Sequence, residues 1–279
     1  MKLGIEDIIN KHNGKIGMCV ATGPSLKPYL NIVDLLSNNN KDEYCFFSVN
    51  EFDTMFSLKA DYRVVANSSF NLLSTACGII NNNPGTKLLY ADSVDTTNPV
   101  TVEESLLTVD YLSYDQRHYK GKHCDVKSAC CDNIVEGRLT IQEELQKYCD
   151  HHKHYGYGHT VALHMLAFTI LSGCRSIYIF GVDLNYKNGS YVDGKSKNDD
   201  TFDPYLGEII YDFKTIRNMA KNIGVEIYSS TKDSPINNVF EYKEFLPTAV
   251  LLAAVVLLYK AELPKAVLLA PVVLVTKAK

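Results

Sequence analysis

The first residues that could bind a ligand form the segment Thr22–Leu26 (TGPSL), which follows a short apolar run at 15–21. A glycine lets a ligand approach the backbone, a proline fixes the turn, and a serine places a hydroxyl where a helix starts. Free backbone N–H groups at such a start favour an anion such as a nucleotide phosphate. The segment matches neither GxxxxGK[ST] nor GxGxxG. A phosphate site and a plain strand-to-helix turn therefore both remain open.

Small or polar residues also follow other apolar runs of the chain. They are Asn50, the pair Asn67 and Ser68, Asp183, and the pair Ser229 and Ser230. Ligands of open α/β sheets bind outside the carboxyl ends of parallel strands, so these side chains are expected at one edge of a sheet. The sequence therefore predicts one binding site that is built from several strand ends.

His151, His152 and His154 surround Lys153, and His159 follows shortly after them. A metal site needs ligands that converge at a fixed spacing, usually with carboxylate or Cys partners, and Lys153 would repel a cation. We expect an exposed basic loop and no metal, with a loop that binds a phosphate or an acceptor carboxylate as the alternative. His159 begins a predicted helix after two glycines and is a candidate general base.

Hydrophobic periodicity predicts the elements that position these residues. Strands are predicted at 15–21, 44–49, 62–66, 87–90, 176–180 and 224–228, and helices at 30–36, 160–171 and 205–222. Strands that alternate with helices imply a parallel sheet with crossover connections. We therefore predict an α/β fold, a Rossmann-like parallel sheet flanked by helices, with an irregular insertion or lid at 93–155.

Composition narrows the class of protein. The chain of 279 residues is 46% hydrophobic and 22% charged, which suits a globular protein with a large core. A net charge of −4 argues against a nucleic-acid binder, which would carry a basic excess. Eight cysteines without CxxC spacing favour reduced thiols over a disulfide scaffold or a zinc ribbon. Because residues 1–20 lack a signal-peptide pattern, we expect a cytoplasmic protein.

Residues 247–279 differ from the chain before them. They use only eight residue types and carry four Lys and one Glu, with two apolar runs on either side of a charged stretch. Neither run approaches the ~20 apolar residues that span a bilayer. A peripheral anchor on the inner face of the membrane, a packing helix and a segment foreign to the protein all remain open. The predicted organisation is a folded domain at 1–246 followed by an apolar, low-complexity tail.

Three motifs, in this order, resemble the bacterial sialyltransferases of glycosyltransferase family 42. They are ATGPSL at 21–26, FSVNEF at 47–52 and IYIFGVD at 177–183. The same motifs are similar to a wider group, the motility-accessory-factor and pterin-pyrophosphokinase-like proteins. The resemblance covers most of 15–240 but is patchy over 93–155, and it excludes the tail. It implies a GT-A-like nucleotide-sugar-binding domain.

The resemblance is strongest after residue 160. The segment 181–191 resembles the family's nucleotide-sugar loop, and Tyr205–Glu208 with the helix and strand behind it resembles the closing elements of the family's fold. The family implies a CMP-sugar donor, usually CMP-sialic acid, and an inverting transfer that uses no metal and no cofactor besides this donor substrate. A glycan or lipooligosaccharide acceptor and a homo-oligomer are the implied partners.

The resemblance also implies roles at the donor site. Gly23, Pro24 and Ser25 would approach the donor phosphate. Asn50 would contact the cytidine ribose or phosphate. Asp183 would hold hydroxyl groups of the nucleotide or the sugar.

Further donor contacts are implied at other strand ends and loops. Asn67 and Ser68 would touch the nucleotide from the neighbouring strand end. Tyr191 and Tyr205 would donate hydrogen bonds to the leaving phosphate. Thr160, at the start of the following helix, is a further candidate for contact with the nucleotide.

Three positions depart from the family's pattern. Thr22 stands where the family usually has Asn, and the segment 156–160 replaces an Arg and a Ser and looks more like the accessory-factor group. The family's catalytic base is a His, whereas the matching position here is Glu208. A carboxylate can act as the base if burial raises its pKa. Glu208 and His159 are therefore the candidate bases, and a Glu that only complements the helix dipole is the alternative for Glu208.

The sequence therefore predicts a glycosyltransferase that uses a CMP-activated sugar and is similar to the sialyltransferases. A pterin-pyrophosphokinase-like or accessory-factor-like nucleotide-binding protein is the alternative, and so is a non-catalytic module on the same fold. A pyrophosphokinase would need Mg²⁺ and a triphosphate donor, and the sequence shows no clear paired-acid metal motif for it.

Overall fold

The computed structural model describes residues 1–50, 58–65, 85–93, 109–116, 160–185, 192 and 206–246. Within these ranges the side chains of 91–93, 113–116 and Glu208 are not described. The chain divides into two compact units, Met1–Glu244 and Phe245–Lys279, and every element named below belongs to the first. The predicted tail at 247–279 lies outside the described residues.

The described part of the chain forms one sheet in which every neighbouring pair of strands is parallel. Its order is β5-β4-β3-β2-β1-β6-β7-β8. The predicted α/β class with a parallel sheet is therefore confirmed. The strands are β1 Ile16–Val20, β2 Tyr44–Val49, β3 Tyr62–Val65, β4 Lys87–Ser93, β5 Tyr111–Gln116, β6 Ser176–Phe180, β7 Glu226–Ser229 and β8 Glu241–Tyr242.

Three α-helices are described, α1 at Leu30–Asn39, α2 at Val161–Leu171 and α3 at Leu206–Asn222. All residues of α2 from Ala162 to Leu171 are buried, which is typical of a helix that is apolar on every side. It packs against β1, β2, β3 and α3. Helix α3 buries one stripe, formed by Ile209, Phe213, Ile216, Met219 and Ala220.

Helix α1 lies against β2 and against a 3₁₀ segment at Pro24–Tyr29 that follows β1. Its buried residues Val33 and Leu36 are not members of the core cluster to which α2 and α3 contribute. Strand β2 is therefore covered from both sides, and this explains why it is buried along its whole length.

The predicted strands and helices agree with the structure to within a few residues, and two strands were not predicted. Strand β5 lies within 93–155, where the sequence favoured an irregular insertion. It is one of the two edge strands of the described sheet, and its sequence, YLSYDQ, mixes apolar and polar residues without the apolar run that marks the central strands. Strand β8 has only two residues, too few for a periodicity to be read. No helix among the described residues is long and apolar enough to cross a membrane.

The order of the strands reverses beside β1. From β1 the chain builds β2 to β5 outwards on one side, and β6, β7 and β8 lie on the other side. In open parallel sheets the loops that leave such a pair of strands diverge and form a crevice, where ligands bind. The loops after β1 and β6 contain Gly23–Ser25 and Gly181–Asp183, so two of the predicted segments meet at this point.

Candidate functional site

The loops after β1 and β6 are joined through their backbones. The N–H of Ala21 donates to the carbonyl of Phe180 and the N–H of Gly23 donates to the carbonyl of Gly181, each at 2.9 Å. A Cβ atom on Gly23 would lie 1.9 Å from Oδ2 of Asp183 and 2.4 Å from the Gly181 carbonyl oxygen. Position 23 therefore requires glycine, because no side chain fits between the loops.

Asp183 binds the start of the 3₁₀ segment. Its Oδ2 accepts hydrogen bonds from the backbone N–H of Ser25 at 3.3 Å and from the Ser25 hydroxyl at 3.1 Å. The side chain is 9% exposed. Burial raises the pKa of Asp183 above its ordinary 3.8, and the two bonds from Ser25 oppose that rise. No described residue donates to Oδ1, which leaves this oxygen as an acceptor for a ligand.

These contacts bear on the phosphate contacts implied for Gly23, Pro24 and Ser25. The N–H groups of Gly23 and Ser25 already donate within the chain, and proline has no N–H. A phosphate at this point would have to displace the Asp183 carboxylate, which carries the same sign of charge. The phosphate role of these residues stays a prediction, while the bonds from Ser25 to Asp183 and from Gly23 to Gly181 are features of the fold.

Residues near the carboxyl end of the sheet hold the backbone of Asp183. The hydroxyl of Ser234 donates to the carbonyls of Val182 and Asp183 at 2.7 and 3.1 Å. The hydroxyl oxygen of Thr231 accepts the Val182 N–H at 3.2 Å. No sequence motif marks Thr231 or Ser234, although the polar pair Ser229 and Ser230 comes just before Thr231. This second layer of hydroxyls fixes the direction of the Asp183 side chain.

Asn50 directly follows β2 and has a left-handed backbone, with φ of 44°. Its N–H donates to the Val64 carbonyl at 3.0 Å, and its own carbonyl accepts a bond of 2.7 Å from Nη1 of Arg63. Its side-chain oxygen Oδ1 is buried without a hydrogen-bond partner in the described part of the chain. Asn50 therefore offers a buried acceptor at the predicted edge. Arg63 was missed by the sequence analysis, because nothing in the sequence marks a buried arginine within a strand.

The structure describes Thr22 and Thr160 fully, describes only the backbone of Glu208, and does not describe the five remaining candidates. The carbonyl of Thr22 accepts the N–H of Val192 at 2.8 Å, which brings the end of the predicted nucleotide-sugar loop to β1. Thr160 caps α2, since its hydroxyl accepts the Ala162 N–H. Glu208 lies in the first turn of α3, and its side chain is not described. Five candidates lie outside the described residues, namely Asn67, Ser68, His159, Tyr191 and Tyr205.

Within the described ranges, no group of three or more His, Cys, Asp or Glu side chains is arranged to hold a metal ion. The histidines at 151–159 lie outside these ranges. Cys19, Cys45 and Cys174 are buried free thiols. The described part of the candidate site offers a ligand hydroxyl, amide, carboxylate and backbone groups.

No family model matches the chain, and no curated protein sequence matches it. Among solved structures, the sialyltransferase CstII from Campylobacter jejuni in complex with the substrate analogue CMP-3FNeuAc is 17% identical, with a TM-score of 0.46 over 87% of this chain and 99% of that chain. The alpha-2,3-sialyltransferase of Campylobacter jejuni in its apo form is 14% identical, with a TM-score of 0.45 over 91% and 97%.

The MAf glycosyltransferase from Magnetospirillum magneticum is 13% identical, with a TM-score of 0.45 over 85% of this chain and 34% of that chain. Sialyltransferases and a MAf glycosyltransferase are thus among the solved structures that this chain resembles, as the sequence motifs predicted.

Proposed function

We propose that the protein is a glycosyltransferase that binds a nucleotide-activated sugar at the carboxyl ends of β1 and β6, beside the joined loops that follow these strands. The observation that carries the proposal is the contact between Ser25 and Asp183. One carboxylate oxygen is anchored by two donors, so the other oxygen has a fixed direction at the strand-order reversal. A carboxylate oxygen accepts strong hydrogen bonds from neighbouring hydroxyls. Such an oxygen suits a ribose or a sugar.

The motifs favour a CMP-sugar, with CMP-sialic acid as the first candidate donor and a glycan or lipooligosaccharide as the acceptor. In an inverting transfer, a base takes the proton of the acceptor hydroxyl while its oxygen attacks the anomeric carbon and CMP leaves with its phosphate. Glu208 or His159 would be the base. Tyr191 and Tyr205 would stabilise the leaving phosphate with their hydroxyls.

A transfer assay tests this function. The full-length chain is incubated with CMP-sialic acid and a lipooligosaccharide acceptor, and both released CMP and sialylated product are quantified. We expect product from the wild type and little from Asp183→Ala, because the alanine lacks the acceptor oxygens. Ser37→Ala is the control, since Ser37 lies on α1 and donates to the Asp34 carbonyl at 2.9 Å. It should match the wild type.

The candidate bases are separated in the same assay. Glu208→Gln keeps the shape of the side chain but cannot accept the proton, and His159→Ala removes the other candidate. Loss of turnover with unchanged CMP binding in one variant identifies the base. Wild-type turnover in both would exclude both candidates. A protein that binds CMP but yields no product with any acceptor would instead be a non-catalytic module.

A further inference from the structure

Arg63 is an unusual residue for the interior of a parallel sheet. Its side chain is 0% exposed, although arginines are almost never fully buried unless their charge is compensated by bound groups. Burial lowers the pKa of the Arg63 guanidinium from 12.5 to about 9, which still leaves it charged at neutral pH. One group that it binds is the carbonyl oxygen of Asn50, at 2.7 Å. The buried charge of Arg63 therefore has a specific role to explain, and its bond to the Asn50 carbonyl points to that residue.

Both polar backbone groups of Asn50 are bound by β3. The Asn50 N–H donates to the carbonyl of Val64, and the Asn50 carbonyl accepts from Arg63. Between these two contacts the residue adopts a φ of 44°, in the left-handed region that glycine occupies readily, asparagine less often and most other residues rarely. The contacts thus fix the direction in which the Asn50 side chain leaves the backbone.

Two polar atoms beside this contact are buried without a hydrogen-bond partner among the described residues, Oδ1 of Asn50 and the hydroxyl of Ser48. Ser48 and Arg63 are partners in the ladder of β2 and β3, so their side chains leave the same face of the sheet. Buried polar atoms are normally satisfied, so two exceptions side by side need an explanation. A ligand that donates hydrogens would supply the missing bonds.

We propose that Arg63 is a positioning residue of the donor site, which fixes the left-handed backbone of Asn50 so that Oδ1 of Asn50 accepts a hydrogen from the nucleotide. An amide oxygen accepts and does not donate. The partner is therefore a hydroxyl of the ribose or an amino group of the base, and not a phosphate oxygen. This inference rests on the proposed function, because it takes the ligand to be a CMP-sugar.

A double-mutant cycle with CMP as the probe tests the proposal. Asn50→Gly removes the amide while glycine adopts the same backbone conformation freely. Arg63→Met keeps an apolar chain about as long as the arginine's aliphatic stem and removes the guanidinium with its bond to Asn50. We expect each single variant to bind CMP about fivefold to tenfold more weakly, the value of one hydrogen bond. If Arg63 acts through Asn50, the double variant binds no more weakly than the weaker single variant.

Arg217→Met is the matched control. Nη1 of Arg217 donates to the Val239 carbonyl at 2.9 Å, so the variant removes the same kind of bond elsewhere in the fold. It should change CMP affinity by less than about twofold, as expected for an independent site. Arg63→Lys keeps the charge with a single donor group and should recover part of the affinity. It also replaces Arg63→Met in the cycle if the methionine variant does not fold.

The outcomes separate this proposal from the proposed function. If Asn50→Gly weakens CMP binding and Arg63→Met does not, the donor site stands and the role of Arg63 is overturned. Additive losses in the double variant also overturn it, since a purely structural arginine would act independently of the Asn50 side chain. If the wild type does not bind CMP at all, the proposed function fails and this inference fails with it.

Discussion

The carboxyl ends of β1 and β2 are neighbours in the sheet. The polar groups after β1 are hydrogen-bonded within the chain, whereas a polar side-chain atom after β2 has no partner among the described residues. After β1, both donors of Ser25 are satisfied by Asp183, and Gly23 is bound to Gly181. After β2, the backbone of Asn50 is fixed, whereas its side-chain oxygen is buried without a partner among the described residues. The first region is thus preformed by the chain's own contacts, and the second keeps a buried acceptor that the proposed nucleotide would bind. Under the proposed function, the β1 end would orient the donor and the β2 end would recognise it.

The largest expected effect is the loss of stability on substitution of Gly23, which lies where the loops after β1 and β6 are joined. Gly23→Ala places a Cβ against Asp183 Oδ2 and against the Gly181 carbonyl, and the latter is a backbone atom that cannot turn away. We expect the free energy of unfolding to fall by about 3 kcal/mol, at the upper end of the cost of overpacking. Unfolding in urea, followed by circular dichroism, measures it.

Gly207→Ala is the control for Gly23→Ala. Gly207 lies in the first turn of α3, and no described atom outside the helix's own backbone lies within 4 Å of the added Cβ, so alanine should leave the free energy of unfolding unchanged or raise it by up to about 1 kcal/mol. Equal stabilities for the two variants would show that the two loops are not held together as described.

The Asp183 contact itself predicts the next largest effect, and the effect is on binding. Asp183→Ala removes the proposed acceptor for the nucleotide and leaves both Ser25 donors without their partner. We expect CMP affinity to fall by about tenfold or more, since a bond to a charged group contributes about 1.5–3 kcal/mol. Asp183→Asn keeps an oxygen for Ser25 and should lose less. Calorimetric titration ranks the two, and the opposite order would show that charge rather than anchoring is what matters at this position.

The raised pKa of Asp183 predicts a dependence on pH. Because the folded-state pKa lies above the unfolded value, the contribution of Asp183 to stability is fully present below the unfolded pKa and is lost as the pH rises through the folded pKa. CMP affinity should rise over the same interval, because ionised Asp183 is the better acceptor. The difference in free energy of unfolding between wild type and Asp183→Asn, followed from pH 4 upwards, isolates this group.

That subtraction also removes the contribution of His12. Burial lowers the pKa of His12, so its contribution to stability is present above its ordinary 6.5 and is lost as the pH falls. The two groups therefore act in opposite directions along the pH axis. A difference curve without slope would mean that the carboxylate of Asp183 is not held at a raised pKa.

The smallest expected effect is a difference in the free energy of unfolding between alanine variants of two buried serines, Ser234 and Ser48. Ser234 donates to two carbonyls, so Ser234→Ala should lower the free energy of unfolding by about 1 kcal/mol. The Ser48 hydroxyl has no partner in the described structure, so Ser48→Ala should leave stability within about 0.5 kcal/mol of wild type or raise it. Thermal unfolding measures both variants. A loss at Ser48 equal to that at Ser234 would remove the distinction between the two strand ends.

The sequence predicted the central strands because β1, β2 and β6 are apolar runs, as strands buried on both faces must be. It also predicted that Gly23 and Asp183 lie at one edge, since parallel strands place their carboxyl ends together. Edge strand β5 was not predicted, because its mixed composition carries no such signal. Local composition thus predicts the central strands, which are buried on both faces, but not a strand of mixed composition at the edge of the sheet.

The particular contacts of the site were beyond the sequence. Ser25 and Asp183 are separated by 158 positions, and only the folded sheet shows that the carboxylate takes the donors expected to bind phosphate. Arg63 stands within a strand of apolar neighbours, where a pattern indicates burial but not what a buried charge will bind. Such long-range pairings depend on register and on backbone conformation at single residues, which periodicity does not encode.

Calorimetric titration of the full-length chain with CMP, CDP, ATP and GTP tests the proposed function most directly. We expect saturable binding of CMP at one site, with affinity about tenfold or more weaker in Asp183→Ala and unchanged in Ser37→Ala. Binding of ATP with Mg²⁺ in place of CMP would contradict it and favour a pyrophosphokinase. Absence of binding by all four nucleotides at millimolar concentration would contradict any nucleotide-dependent function.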